Sequence, residues 1–211
     1  MTDVWSDRAE AYRASEAHRQ GRDLELFAEW AAGRTVLDVA TGGGHVAERL
    51  RAEGCKVVTC DSAPGMQPDV ICRAEDLPFE DASFEVVTCR VAAHHFDDAA
   101  SAVREFARVS GGLVLVADNL HLGEAGEEAD RLRDPTHVRN YSEQEWRRFF
   151  DEAGLEVAAF EREEKQIDLE PWLERAGCAG EEAERVRALL AERIEHGRLR
   201  LDRGIFKARR P

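Results

Sequence analysis

The stretch from Thr35 to Ala47 constrains the fold of this chain more than any other. Its sequence is TVLDVATGGGHVA, in which a short apolar run leads to an acid and three consecutive glycines. Val46, Ala47 and Leu50 then recur at helical spacing, so the predicted order is strand, tight turn, helix. Glycines suit this turn because a bare backbone can adopt positive φ and lets a ligand lie on the peptide groups at a helix N-terminus. The stretch therefore predicts a nucleotide-binding opening.

Asp38 narrows the choice of ligand. Read as Gly42-x-Gly44-x-x-Ala47, the loop matches the dinucleotide fingerprint, and Asp61 ends the next apolar run, where an acid could bind ribose hydroxyls. A carboxylate just before the glycines would repel a pyrophosphate, whereas it suits a ligand that carries positive charge. S-adenosylmethionine, with its sulfonium and its α-ammonium group, is such a ligand.

A series of motifs follows the glycine loop in a fixed order. They are LDVATGGGH at 37–45, CD at 60–61, AEDLPF at 74–79 with SF at 83–84, and CRVAAHHF at 89–96. Together they resemble the class I S-adenosylmethionine-dependent methyltransferases of the type 11 domain, and within them the branch of the ubiquinone and menaquinone biosynthesis methyltransferases. LRDPTHVR at 132–139, with YS at 141–142 and EW at 145–146, is similar to a narrower subgroup.

Length and resemblance together predict one α/β domain. The chain of 211 residues can bury one core of its own and is short for two domains. The resemblance implies a Rossmann-like, doubly wound sheet of seven strands, mostly parallel with an antiparallel last strand, and an N-terminal helical segment. Within the domain 1–211, residues 1–32 would form a helical lid, 33–119 the cofactor-binding half, and 120–211 the substrate side and C-terminal half.

Hydrophobic patterning places the individual elements. The predicted strands are 35–39, 56–60, 69–72, 84–89, 113–117, a strand from 155 into the 160s, and 204–208. Helices are expected over 5–20, after Gly21 through Leu24, Phe27, Ala28 and Ala31, over about 43–52, from 97 onward, around 127–133, from Ser142, and from 181 to about 194. Ser142 and Glu145 form a capping box. Pro64, Gly65 and Pro68 leave room for only a turn between the second and third strands, where the resembling family has a helix.

Candidate cofactor residues follow from the loop and from the resemblance. The loop contributes Asp38, Ala40, Thr41, Gly42 and Gly44, and Asp61 is the candidate ribose ligand because a carboxylate can accept a hydrogen bond from both hydroxyls. The resemblance adds Ser62, Ala74, Glu75 and Arg90, together with Tyr12 and His18 of an N-terminal segment that closes over the cofactor. A solvated surface helix is the alternative for that segment. Arg73 stands where the family often has an acid, so Glu75, Asp76 or the backbone would have to contact the adenine.

His94 and His95 are the candidate catalytic residues. They follow the fourth strand, and ligands of doubly wound folds bind beyond the carboxyl ends of the strands. One of them would orient the methyl acceptor or accept its proton; a structural role for both is the alternative. Arg133, Asp134, His137 and Arg139 are candidates for an acceptor pocket, although a salt-bridged surface connection explains them as well. Neighbouring histidines seldom aim at one ion, so no metal site is expected.

Composition limits the partners and the compartment. The formal net charge of −14 disfavours a nucleic-acid partner, since binding to phosphates needs clustered Lys and Arg. No apolar run is long enough for a membrane span and no signal peptide is recognisable, which predicts a cytoplasmic protein. The five cysteines show no C-x-x-C pair and fit reduced thiols. Nothing in the sequence indicates an oligomeric state.

The sequence therefore favours S-adenosylmethionine-dependent methyl transfer to a small-molecule acceptor by direct in-line displacement. A sulfonium is already an activated leaving group, so the enzyme mainly aligns the acceptor and excludes water, and a base is needed only when the acceptor loses a proton. Two alternatives stay open. One is an NAD-linked oxidoreductase, which Asp38 disfavours, and the other is a non-catalytic cofactor-binding protein of the same fold.

Overall fold

An eight-stranded mixed sheet forms the centre of the molecule. This computed structural model describes residues 4–211, except the side chains of residues 16 and 17, and the first residues of the expected lid, 1–3, lie outside that range. The strand order is β3-β2-β1-β4-β5-β8-β6, and β7 pairs with β8 alone. The strands are β1 Thr35–Val39, β2 Lys56–Asp61, β3 Val70–Ile71, β4 Phe84–Arg90, β5 Ser110–Asn119, β6 Glu156–Asp168, β7 Ile194–Glu195 and β8 Arg198–Arg209.

The parallel half of the sheet brings the carboxyl ends of its strands to one edge. β1 lies between β2 and β4, with Asp38 opposite Thr59 on one side and Thr88 on the other. β3, β2, β1, β4 and β5 are mutually parallel, so the carboxyl ends of all of them open on the same edge. That edge holds the loops in which the candidate cofactor residues lie.

β8 runs antiparallel to both of its neighbours, β5 and β6. The expected mostly parallel sheet with an antiparallel last strand is therefore confirmed, but the expected number of seven strands is wrong by one short strand. β7 and the start of β8 form a hairpin whose turn contains His196 and Gly197, at φ values of 50° and 75°. Such a turn matches the twist of paired strands. No pattern in the sequence indicated this hairpin or the first half of β8, because many of the residues there are charged.

The helices pack on the sheet or cover its ligand edge. They are α1 Val4–Arg13, α2 Glu16–Arg19, α3 Arg22–Ala31, α4 His45–Ala52, α5 Ala99–Val109, α6 Glu124–Arg133, α7 Glu143–Glu152, α8 Leu169–Ala176 and α9 Gly180–Leu189. The single helix expected over 5–20 is divided into α1 and α2. The capping box at the start of α7 is confirmed, with the Ser142 hydroxyl and the Glu145 carboxylate each accepting from the other's backbone amide.

The core lies on both faces of the sheet. Neighbouring strand residues enter different clusters: Val36 packs with Phe27 and Leu50 of α3 and α4, whereas Leu37 belongs to the cluster that holds Phe106 and Trp146. This alternation follows from the two-residue period of a strand. α3 and α4 thus cover one face, and α5 and α7 cover the other.

A third apolar cluster lies beside the sheet edge that the carboxyl ends of the parallel strands form. It joins α6, α8, α9 and the antiparallel pair of β6 and β8 through residues such as Ala129, Trp172, Val186 and Leu199. The cluster positions the C-terminal ends of α6 and α8 beside the sheet edge. Among the residues that the structure describes, no helix combines the length and the apolar character that crossing a membrane requires.

Candidate active site

The loop that follows β1 bends through left-handed backbone. Ala40, Gly42 and Gly44 have φ values of 52°, 52° and 81°, a conformation that glycine adopts freely and alanine adopts only with strain. The Thr41 amide donates to the Cys60 carbonyl at 3.1 Å, and the Gly44 amide donates to the Thr41 carbonyl at 2.9 Å. The loop is thereby held between the ends of β1 and β2, and Gly44 caps the start of α4.

Asp38 is a buried carboxylate beneath this loop, with 1% of its surface exposed. Its Oδ2 accepts a hydrogen bond from the Thr41 hydroxyl at 2.6 Å, and its Oδ1 accepts one from the Thr88 hydroxyl at 2.8 Å. Burial raises the pKa of Asp38 to about 6, although the two hydroxyls oppose the rise because they stabilise the ionised form. Within residues 4–211 it forms no ion pair. A cationic ligand would supply the missing partner.

Asp61 ties the glycine loop to the end of β2. Its Oδ2 accepts a hydrogen bond from the Gly42 amide at 3.0 Å, and its Oδ1 accepts one from the Ala63 amide at 3.0 Å. A carboxylate has about four acceptor positions, so further hydroxyl groups can be bound by the same side chain. Asp61 therefore positions the loop and can also contact a ligand.

A cavity opens where these groups meet at the carboxyl ends of β1, β2 and β4. It brings together most of the site residues that the sequence suggested: Tyr12, His18, Asp38, Ala40, Thr41, Gly42, Asp61, Ser62, Arg90 and His95. Trp5, Met66 and Phe96 line it as well, and sequence reasoning missed them. Each of the three is a large apolar residue in a polar or irregular stretch of the sequence. That contrast is the signal that could have indicated a role in lining a cavity.

Four suggested residues lie outside this cavity lining. Gly44 caps α4, and Ala74 belongs to the core cluster beneath α5. Glu75 Oε1 accepts a hydrogen bond from the Asp97 amide at 3.0 Å and so fixes the turn before α5. His94 lies in a neighbouring cavity. The adenine contact of Glu75, Asp76 or the backbone stays a prediction, as does the contact of Ala74 with the cofactor.

The N-terminal segment, α1 to the start of α3, covers the cavity. Arg90 donates from Nε to Asp23 Oδ2 at 2.7 Å and from Nη1 to the His18 carbonyl at 2.9 Å, which anchors the segment to the end of β4. The His45 ring contacts the Tyr12 carbonyl at 3.0 Å. Burial raises the pKa of Asp23, but Arg203 and Arg90 lower it more, so the net change is downward. Arg90 is therefore mainly an anchor of the covering segment.

His94 is held by a carboxylate from the neighbouring strand. Its Nδ1 lies 2.6 Å from Asp118 Oδ1, and its backbone amide donates to Asp118 Oδ2 at 3.2 Å. Burial lowers the pKa of His94, but the Asp118 carboxylate raises it more, so its net pKa lies above the ordinary value. The carboxylate orients the ring, leaving Nε2 on the opposite side of the ring from the Asp118 contact.

His95 occupies the boundary between the two cavities. Its Nδ1 lies 3.1 Å from the Thr136 carbonyl oxygen, and a carbonyl can only accept, so this nitrogen carries the proton and Nε2 keeps a lone pair. Burial, and then the nearby charge of His94, lower the pKa of His95 to about 3. The two ring centroids are 4.2 Å apart. At neutral pH the pair therefore holds a neutral His95 that can accept a hydrogen bond.

The neighbouring cavity shares Tyr12, His18, Val91 and His95 with the first one. His94 and Arg133 also line it. A molecule held there would be next to a ligand in the first cavity, separated from it only by the shared residues.

The other three acceptor-pocket candidates line neither cavity. Asp134 pairs with Arg8 at 3.0 Å, and the His137 ring nitrogen Nε2 lies 3.2 Å from Glu127 Oε2. Arg139 is exposed and pairs with a glutamate of α7. Their contacts stabilise the connection between α6 and α7. Among the described residues, no group of three or more His, Cys, Asp and Glu side chains is arranged to hold a metal ion.

Comparisons with known proteins point to one kind of enzyme domain. A family model described as a methyltransferase domain matches residues 7–159. The uncharacterized methyltransferase YcgJ of Bacillus subtilis is 33% identical over 207 residues, covering 86% of this chain and 82% of that protein. Its crystal structure aligns at a TM-score of 0.79 and 27% identity, covering 89% of this chain and 97% of the other. Demethylmenaquinone methyltransferase of Beutenbergia cavernae is 36% identical over 98 residues, 41% of each chain.

Proposed function

The chain belongs to the methyltransferase domain family, and from that premise we propose that it transfers a methyl group from S-adenosylmethionine to a small-molecule acceptor. The observation that carries the proposal is the buried carboxylate of Asp38, which lines the cavity below the glycine loop and has hydroxyl partners but no ion-pair partner among the described residues. A cationic cofactor matches it, whereas the pyrophosphate of a dinucleotide would be repelled.

The residues of the first cavity suit the parts of this cofactor. Asp61 would accept hydrogen bonds from the ribose hydroxyls while its other lone pairs keep the Gly42 and Ala63 amides. The backbone of Ala40 to Gly42 would contact the amino-acid part of the cofactor, near Asp38. When bound, the cofactor supplies an activated methyl group on a positively charged sulfur.

The protein's own work would be to position the acceptor and to exclude water. The N-terminal segment, fastened by Arg90 and His45, covers the cavity and favours a small acceptor that enters beside the shared residues. His95 presents a lone pair on Nε2 at the boundary of the two cavities. It would accept a hydrogen bond from the acceptor, and a proton where the acceptor must lose one.

Calorimetry with the purified protein tests the cofactor. We expect S-adenosylmethionine and S-adenosylhomocysteine to bind, and NAD not to bind at the same concentrations. Binding of NAD alone would replace this proposal with that of an oxidoreductase. Turnover is then measured with methyl-labelled cofactor and a panel of small molecules that carry hydroxyl, amine or activated carbon groups. Cofactor binding without methyl transfer to any of them would favour the non-catalytic alternative.

A further inference from the structure

The neighbouring cavity, which adjoins the first cavity where we propose that the cofactor binds, carries an unusual charge. The first cavity is called the cofactor cavity below. Four basic side chains line the neighbouring cavity, Arg133, Lys165, Arg175 and Arg203, and no carboxylate among the side chains that the structure describes does. The chain as a whole has 43 acidic and 29 basic residues, so a shortage of acids does not explain this lining. Cations concentrated in a partly closed space attract anions.

Two of these cations already have partners. Arg203 pairs with Asp23 at 2.8 Å, and that carboxylate also neutralises Arg90 at 2.7 Å. Lys165 Nζ donates to the Gln20 carbonyl at 3.2 Å. These contacts fasten the N-terminal segment to the sheet and assign Arg203 and Lys165 a structural task.

Arg133 is held from one side only. Its Nε donates to the Trp172 carbonyl at 3.0 Å, and its guanidinium carbon lies 4.3 Å from the centre of the Trp172 ring. Among the described residues, nothing accepts a hydrogen bond from its two terminal nitrogens and no acid pairs with it. The stacked ring fixes the plane of the guanidinium and leaves those nitrogens available for an oxygen-rich ligand.

Arg175 has even fewer partners. Its Nη1 donates weakly to the Ser15 hydroxyl at 3.3 Å, and its Nε is buried with no hydrogen-bond partner among the described residues. Burial, and then the charge of Arg133, lower the pKa of Arg175. A partly buried cation that lacks an acidic partner among the described side chains destabilises the folded state, and an anionic ligand would reduce that cost.

We propose that Arg133 and Arg175 bind the anionic group of the methyl acceptor, a carboxylate or a phosphate, and so hold the acceptor beside His95. The inference rests on the proposed function and specifies its substrate class. Guanidinium groups bind both anions through paired hydrogen bonds. Val91, Ile167 and Leu201 line the same cavity and suit an apolar body behind the charged group.

Three probe molecules of similar shape test whether the neighbouring cavity prefers an anion. Benzoate, phenyl phosphate and benzamide are titrated by calorimetry into the protein, both free and saturated with S-adenosylhomocysteine. We expect benzoate or phenyl phosphate to bind at least about ten-fold more tightly than the neutral benzamide, the scale of one charge-assisted hydrogen bond. The stronger of the two anions identifies the class as carboxylate or phosphate. Equal binding of all three probes, or no binding of either anion, overturns the inference.

Matched variants assign the binding to these arginines. We expect Arg175→Gln, and the double variant Arg133→Gln/Arg175→Gln, to reduce the preference for the anion to less than about two-fold. The control variant Arg185→Gln changes an exposed arginine that pairs with Glu128, and it should keep the full preference for the anion. Arg175→Gln alone loses only one long hydrogen bond of the folded protein, so it remains informative if the double variant does not fold. A variant that keeps the full preference contradicts the assignment.

Affinity for S-adenosylhomocysteine separates this inference from the proposed function. We expect the affinity of Arg175→Gln for S-adenosylhomocysteine to stay within about two-fold of that of the unmodified protein, because Arg175 does not line the cofactor cavity. Loss of that affinity would mean that the arginines bind the carboxylate of the cofactor, and the inference would be wrong while the proposed function stands. If the unmodified protein binds no cofactor but prefers the anions, the proposed function fails and the anion site remains.

Discussion

Replacement of Asp38 by asparagine should make the cofactor-free protein more stable and remove its affinity for S-adenosylmethionine. The side chain is buried and accepts hydrogen bonds from the hydroxyls of Thr41 and Thr88. An asparagine amide can accept from one hydroxyl and donate to the other, because a hydroxyl can do both. The substitution Asp38→Asn therefore removes the charge and keeps the shape and the number of hydrogen bonds.

The size of the effect follows from the pKa of Asp38, which burial raises from 3.8 to about 6. Each pKa unit corresponds to about 1.4 kcal/mol, so the shift amounts to about 3 kcal/mol. The unfolded chain ionises first as the pH rises from 4 to 6, and the folded state loses stability across that window. Above pH 6 the loss is complete. We therefore expect Asp38→Asn to raise the free energy of unfolding by up to about 3 kcal/mol at pH 7.5, and by much less at pH 4.5.

Urea denaturation of the cofactor-free protein at the two pH values measures the stability, and calorimetry at pH 7.5 measures the affinity for S-adenosylmethionine. Asp69→Asn is the control, because Asp69 is exposed, and the backbone amide and then the hydroxyl of Thr59 lower its pKa. It should gain no stability at pH 7.5 and should bind the cofactor normally. An Asp38→Asn protein that is less stable than the unmodified one at pH 7.5, or that binds the cofactor equally well, would refute the reasoning.

Further predictions concern the cofactor loop, the histidines and the covering segment. Asp61→Ala should weaken cofactor binding through the loss of up to two charge-assisted hydrogen bonds, each worth about 1.5 to 3 kcal/mol; unchanged affinity in calorimetry would remove Asp61 from the site. Gly42→Val places a branched side chain at φ 52° and should abolish cofactor binding in a folded protein, as judged by circular dichroism and calorimetry together; normal binding would move the site away from the loop. Once an acceptor is known, the pH profile of turnover at saturating S-adenosylmethionine separates the histidines: as the pH is lowered, the rate should begin to fall from above pH 6.5 if His94 is the base, and should show no fall in that range if His95 is the base. If the alanine variants of His94 and His95 both keep full turnover, the two histidines have only a structural role. Asp23→Asn leaves two buried guanidinium groups poorly paired and should cost about 3 to 5 kcal/mol in urea denaturation; a cost below about 1 kcal/mol would show that Asp23 is not the anchor of the segment.

Local features of the sequence determined the strands and helices around the glycine loop, and the loop itself. β1, the glycine turn and α4 follow from neighbouring residues, because alternation, glycine and helical spacing act over a few positions. Asp38 and Asp61 were placed correctly relative to the loop for the same reason, since each is located by the strand that carries it. The capping box at Ser142 is also local. The antiparallel last strand came from the family resemblance.

Contacts between distant segments were decided only by the tertiary structure. Asp118 reaches His94 across 24 positions, and Arg90 anchors Asp23 across 67. Arg133 and Arg175 meet in one cavity because α6 and α8 pack on the same apolar cluster. Sequence periodicity reports which face of an element is buried, but not which other element buries it. Nothing in the local sequence distinguishes an arginine that packing leaves without an acid from one on a salt-bridged surface, so the cationic cavity that we propose for the acceptor could be recognised only once the chain was folded.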